Sequence, residues 1–466
     1  MILILLYLVI GAIFPFVPYQ EITEDTKSNF NVENIVQSNK STDRAMILES
    51  NKSAWEERIR LLNQAEERIV LVTFDIREGE SVKDISSILM HKANEGVKIQ
   101  ILVDGFNGMM KVKGNPFFQA LSAHKNIEIK LYNPINLLQP WKSQGRMHDK
   151  YVIVDNIGYI LGGRNTFDYF LGEYESKSKS FDRDVLVYNT LHKKDNLDES
   201  SIYEVQQYFD AMWDMEECVI YDDDEELGEK QKVMNVISEL NTRYYNLKVE
   251  QGELFRDFDY IKRTYETEGI HLLTNPTHIY GKEPIVFYQL TELMKKAKER
   301  IIIHTPYAVF NKYMYDTLEE VGNIVPDYRM LINSIENGDN FFASCDYQRN
   351  KKDILDTGIN IYEFDGGTSY HGKSVVIDDD ISIIGSYNFD LRSTYLDTEM
   401  MLVVKSKGLT EELVYYMGEL EHYSRRVISE TEYETPEHVV VEKIPYTKNF
   451  ALKVVGFVAQ AFRFLL

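Results

Sequence analysis

His148-Asp149-Lys150 is followed by Asp155 and then by Gly162-Gly163-Arg164-Asn165, and His371-Gly372-Lys373 is followed by Asp378 and then by Gly385-Ser386-Tyr387-Asn388. Both stretches read H-x-K-x4-D-x6-G-[GS]-x-N. One H-x-K-x4-D arises by chance in roughly one chain in twenty of this composition, so a single copy would constrain little. Two copies with the same trailing glycine and asparagine constrain the whole fold, because the chain must then be a duplication in which each half carries half of a site. The surrounding pattern repeats as well. Half one predicts helix 54–67, strand 68–74, helix 82–95, strand 97–103, helix 116–124 and strand 127–132 before its motif strand. Half two predicts helix 286–300, strand 301–304, helix 312–321, strand 328–332, helix 345–357 and strand 359–364 before its own. Strands alternating with helices predict an α/β sandwich in each half. Two such domains in tandem must pack face to face, with the histidines meeting in the cleft.

The segment 147–155 is β-branched and alternating, so it reads as a strand. Side chains two apart on a strand share a face, which puts His148 beside Lys150 and His371 beside Lys373. Two histidines and two lysines in one cleft suit a phosphodiester. Lys150 and Lys373 supply positive charge to phosphate oxygens, and Asn165 and Asn388 supply amide donors. One histidine can attack phosphorus, and the other can protonate the leaving alkoxide and later deprotonate an acceptor. This chemistry calls for no metal, and no cluster with metal-ligand spacing is visible.

Asp155 and Asp378 each lie seven residues after their histidine, on the opposite strand face, so a structural role closing the following turn is expected of them. Asp184 and Glu399, each at the start of an apolar strand, are the candidates for carboxylates that fix the histidine tautomers. The plain alternative for both is a solvated acid at a strand end. Gly162, Gly163, Gly385 and Ser386 belong to the structural part of the motif, the glycines giving either a close backbone approach to phosphate or a turn.

The paired signature resembles that of the phospholipase D superfamily, over a span from about Trp55 to about Val404. The residues around the motifs are most similar to bacterial cardiolipin synthases. They are Arg146-Met147 before His148, Phe181-Asp182-Arg183-Asp184-Val185, Phe389-Asp390-Leu391-Arg392-Ser393 after Asn388, and Thr398-Glu399-Met400. The resemblance implies two tandem phospholipase D-like α/β sandwich domains with the active site at their interface. It also implies a membrane-associated phosphatidyltransferase that makes cardiolipin from phosphatidylglycerol through a phosphatidyl-histidine, with no cofactor. His148 is expected to be the nucleophile and His371 the acid and base. The same residues would serve a hydrolase that passes the phosphatidyl group to water, or, third in order, a nuclease. A scaffold that had lost the site would show a degraded motif, and neither copy is degraded.

Seventy-four acidic residues against 51 basic ones leave a net charge of −23. No Lys/Arg-rich block with interleaved aromatics is visible, so nucleic acid is not an expected partner. Two cysteines give no disulfide framework. Residues 1–20 are uncharged and are expected to be an uncleaved membrane segment, followed by a flexible polar tether over 21–51. The first domain is expected over 52–220 and the second over 276–430. Between them, 221–275 reads as an acidic loop, Asp222–Glu226, and a helical connector. Residues 431–466 read as a linker and an amphipathic helix, with Lys453, Gly456, Gln460 and Arg463 on its polar face and Phe450, Val454, Phe457, Val458 and Phe462 opposite. The expected partners are therefore a phospholipid substrate and a membrane surface, at the cell membrane; the oligomeric state is not legible.

Overall fold

A computed structural model describes residues 2–176, 178–194, 197–222 and 225–466. Two nine-stranded sheets organise the chain. The first runs, in spatial order, Tyr265–Glu266, Asp43–Leu48, Asp184–Asn189, Gly158–Gly162, Tyr151–Val154, Arg68–Thr73, Lys98–Asp104, Ile127–Tyr132 and Cys218–Ile220. The second runs Gly269–Thr274, Met400–Lys405, Ile381–Gly385, Ser374–Ile377, Arg300–His304, Asp327–Asn333, Asn360–Phe364, Ser424–Val427 and Tyr433–Glu434. From the second strand of the first sheet and the first of the second, the two orders correspond strand for strand, which is the duplication seen in the motifs.

Strand alternation sorts the side chains into three large cores, beside a small cluster of Leu331, Phe364 and Tyr370. Ile69 and Leu71 face outward under the helices Asn51–Asn63, Glu80–Asn94 and Pro116–Ser122, while Val70 and Val72 face the other half. In the second sheet Ile301 and Ile303 pack under the helices Ile285–Met294, Lys312–Gly322 and Phe341–Asp356, and Ile302 faces back. The middle core joins both sheets with two helices, Ile202–Trp213 and Lys407–His422. The halves therefore share a hydrophobic interior.

The expected strand over 147–155 begins only at Tyr151; Met147 makes an isolated bridge to Thr398 of the other half. Asp155 and Asp378 adopt left-handed backbone, with φ of 45° and 51°. The Asp155 carboxylate accepts from the N–H groups of Glu66, Glu67 and Arg68, and that of Asp378 from those of Lys298, Glu299 and Arg300. Each closes the turn that launches a parallel strand, far from its histidine.

Three expected boundaries shift. Within the supposed tether, Asp43–Leu48 pairs with Asp184–Asn189 inside the first sheet, and Ile35 is buried in the second half's core. The connector is not only helical, since Tyr265–Glu266 joins the first sheet and Gly269–Thr274 the second. Its long helix, Gln231–Glu250, lies across Glu80–Asn94, tied by Arg243 to Asp84 at 2.7 Å. Of the acidic run, Asp223 and Asp224 lie outside the described residues.

The termini also differ from expectation. The N-terminal helix covers only Ile2–Ile13, and Pro15 turns the chain into a 3-10 turn at Phe14–Phe16. No helix of the described residues is long and apolar enough to cross a membrane; twelve residues rise about 18 Å against a core of about 30 Å. The C-terminal helix, Tyr446–Val458 with a 3-10 extension to Leu465, docks on Phe341–Asp356. Of its expected polar face, Lys453 is exposed but the other three positions turn inward: Gln460 and Arg463 bond Asp346 at 3.0 and 2.7 Å, and a side chain at Gly456 would meet the Cys345 carbonyl at 2.8 Å. Phe450, Val454, Phe457 and Phe462 are left exposed.

Candidate active site

Each motif histidine is held by the other half. The His148 N–H donates to Thr398 Oγ1 at 3.2 Å, and its Nδ1 lies 2.8 Å from Glu399 Oε1. The His371 N–H donates to the Phe181 carbonyl at 2.6 Å, and its Nδ1 lies 2.7 Å from Asp182 Oδ2. Ser369-Tyr370 and Ser180-Phe181 form a short parallel ladder across the cleft, as Met147 and Thr398 do on the other side. A carboxylate on Nδ1 fixes the tautomer that leaves Nε2 free for chemistry.

Glu399 stands where expected, but Asp184 does not. Asp184 is fully buried on the outer face of its sheet, 2.9 Å from Arg58 and 3.4 Å from Arg164. Asp182, two residues earlier, takes the place at His371. The ladder explains the slip: Gly162 pairs with Asp184 as Gly385 pairs with Met401, so the equivalent of Glu399 is Asp182. Six extra residues between Asn165 and this strand hide the correspondence in the sequence. Aligning Val185-Leu186-Val187 with Leu402-Val403-Val404 would have found it.

The glycines make room for this arrangement. A Cβ on Gly162 would fall 2.1 Å from Asp184 Oδ1, and one on Gly163 would fall 2.3 Å from Asp182 Oδ1. Gly385 lies equally close to the Met400 carbonyl. At the position matching Gly163, Ser386 donates to Glu399 Oε2, and Ser393 donates to Glu399 Oε1 at 2.6 Å. Ser393, Thr398 and Asp182 are the site residues that sequence reasoning missed.

Lys150 donates back to the His148 carbonyl and Lys373 to that of His371, so each motif folds its cation beside its own histidine. Lys373 Nζ also lies 2.7 Å from His371 Nδ1. Asn165 anchors its amide oxygen on the Asp75 N–H at 3.2 Å, which leaves its NH2 to donate. Asn388 is buried, and its Oδ1 has no partner among the described residues. Phe74 packs on His148 and Phe170 on His371, with ring centroids 5.1 and 5.2 Å away. No group of three or more His, Cys, Asp or Glu placed to hold a metal occurs among the described residues.

Electrostatically the two histidine–carboxylate pairs are unlike. Burial, reinforced by Lys150 and Lys373, holds the His148 pKa well below the ordinary histidine value. Its partner Glu399 is pushed up by burial to about 7. Both shifts favour an uncharged pair. Asp182 is also opposed by burial, but Lys373, the His371 hydrogen bond and Arg164 outweigh it and hold the carboxyl well below the usual range. His371 is lowered by burial and Lys373, against the pull of that ionised partner. Burial brings Lys150 down to about 7 and Lys373 to about 8.

The sequence profile described as "Cardiolipin synthase, PLD-like domain" matches residues 58–213 and 290–420. The chain is 26% identical over 396 residues to cardiolipin synthase C of Escherichia coli K12, covering 78% of this chain and 82% of that one. It is 24% identical over 407 residues to an uncharacterised protein of Helicobacter pylori, covering 79% and 77%. The crystal structure of phosphatidylserine synthase from Haemophilus influenzae superposes with a TM-score of 0.61 at 15% identity, covering 95% of this chain and 99% of that one, a likeness of fold. With the profile lying over both motif-bearing halves, the chain belongs to the PLD-like domain family of cardiolipin synthases, within the phospholipase D superfamily.

Proposed function

We propose that this protein is a phosphatidyltransferase that makes cardiolipin from phosphatidylglycerol at a cell membrane. The observation that carries the reading is the pair of histidines in one cleft, each oriented from the opposite half, with unlike electrostatics. His148, kept neutral, attacks the phosphorus of one phosphatidylglycerol through Nε2. The P–O bond to glycerol breaks, and the departing alkoxide takes a proton from His371, whose imidazolium the ionised Asp182 stabilises. A hydroxyl of a second phosphatidylglycerol then gives its proton to His371 and attacks phosphorus. The P–N bond breaks, cardiolipin leaves, and His148 is restored. Lys150, Lys373 and the Asn165 amide stabilise the oxygens of both transition states.

The membrane part of the proposal is supported by apolar surface at the two ends. Ile2–Ile13 exposes Ile2, Leu3, Leu5 and Ile10, and it packs on Pro140 next to the exposed Leu138, in the segment that leads to His148. Ile13 and Phe16 belong to the same hydrophobic core as Phe464 and Leu466 of the C-terminal segment. An anchor lying in the interface fits these lengths better than one that spans.

Incubating the full chain with phosphatidylglycerol vesicles tests the reaction. Cardiolipin and glycerol in equal amounts are expected, whereas phosphatidic acid alone would make the protein a hydrolase. Flotation with phosphatidylcholine vesicles tests the attachment: Phe457→Asp with Phe462→Asp should weaken it, and unchanged flotation would count against the C-terminal helix as an anchor.

A further inference from the structure

We propose that Arg77 forms a second anion subsite at the rim of the cleft, which takes the phosphodiester of the acceptor lipid. The inference rests on the phosphatidyl-transfer reading and assigns the place of the second substrate.

Two independent routes tie Arg77 to the catalytic centre. Its Nε and Nη2 donate to Asp75 Oδ2 at 2.9 and 2.5 Å, and the Asp75 N–H donates to Asn165 Oδ1 at 3.2 Å. Its own N–H bonds the Thr166 carbonyl, next to Asn165. Its guanidinium lies 4.1 Å over the Phe167 ring, Phe167 meets Phe170 at 5.2 Å, and Phe170 meets His371 at 5.2 Å. The group is thus held on a buried carboxylate and an aromatic face, yet 48% of its side chain is exposed. Nη1 has no protein partner among the described residues. A guanidinium fixed in this way loses little freedom when its remaining N–H groups meet a phosphate.

Half two has no such group. Thr73 and Thr305 occupy equivalent strand ends, each donating Oγ1 to the carbonyl two residues on. That register matches Arg77 with Val309, which is buried. One-sidedness is what a reaction with distinct donor and acceptor requires, while the histidines and lysines are duplicated. The neighbouring groove beside Ser369, of about 820 Å³, is no alternative seat for a phosphate: Glu336, Asp339, Asp365 and Glu442 line it against Lys179 and His438. A phosphatidylglycerol acceptor brings a second negative charge close to its reacting hydroxyl. Arg77 offers that charge a partner without entering the catalytic centre.

The test compares two acceptors for the same phosphatidyl donor. Full-length protein and its Arg77→Gln and Arg77→Lys variants are given phosphatidylglycerol vesicles with labelled glycerol. Cardiolipin reports the anionic acceptor, and label entering phosphatidylglycerol reports the neutral one. Arg77→Gln should lower the ratio of cardiolipin to exchanged glycerol about tenfold, the worth of a lost charge-assisted contact, with Arg77→Lys in between. Arg77→Gln leaves the buried Asp75 without its partner and should lower the melting temperature, so both products are measured in the same reaction well below it, where their ratio does not depend on the amount of folded protein. An unchanged ratio overturns the subsite, and so does an equal loss of both products, which would make Arg77 part of the common catalytic centre. Wild-type protein that forms neither product would refute the transfer reading itself and the subsite with it.

Discussion

His148 Nδ1 lies 2.8 Å from Glu399 Oε1, although 251 residues separate them in the chain. The reciprocal contact, His371 with Asp182, runs the other way across the same cleft. Neither half can orient its own histidine, so the site exists only when the halves are packed. Glu399→Gln and Asp182→Asn should each lower kcat by about 10³-fold or more while leaving the fold intact, because the imidazole loses its tautomer control. Single-turnover kinetics with a melting curve check this. Near-native kcat in either variant would sink the orienting role.

Asp184 gives the opposite expectation. It is fully buried between Arg58 and Arg164. Removing one member of a buried ion pair leaves uncompensated charge and costs about 3–5 kcal/mol. Asp184→Ala should therefore unfold at much lower denaturant. A denaturation midpoint equal to that of the unsubstituted protein would contradict the assignment.

Gly163 separates packing from chemistry. A Cβ there would fall 2.3 Å from Asp182 Oδ1, while its counterpart Ser386 donates to Glu399. Gly163→Ser, which copies the second motif into the first, should displace Asp182 and lower kcat by more than KM rises. The milder Ser386→Gly, which only removes a hydrogen bond, should cost about tenfold or less. The reverse ranking would show that Gly163 has room the structure denies it.

Activity should be bell-shaped in pH, and the signs follow from the shifts. As pH falls, His148 gains a proton and loses its nucleophilic lone pair; burial puts that limb below the ordinary histidine range. As pH rises through about 7 to about 8, Lys150 and Lys373 lose their charge, and the phosphate loses its counter-ions. A bound phosphodiester favours the protonated lysines, so the alkaline limb of kcat should lie above that of kcat/KM. Matching limbs for both parameters, or an alkaline limb only near the ordinary lysine range, would argue that these lysines are not depressed in the free enzyme.

The sequence by itself determined the duplication, the α/β class, and the motif histidines and lysines as candidates. These are properties of motif spacing and of the repeating strand–helix pattern, which are local. Tertiary structure decided the rest. Asp182 rather than Asp184 reaches His371, because strand pairing, not distance along the chain, sets which residue faces the cleft, and an insertion of six residues masks that pairing. Asp43–Leu48 is a sheet strand rather than a tether, because a short, partly polar segment becomes a strand only when an unpaired edge receives it. Arg463 and Gln460 turn toward Asp346 rather than toward lipid headgroups, because amphipathicity fixes that a helix has two faces and the neighbour fixes which one is buried.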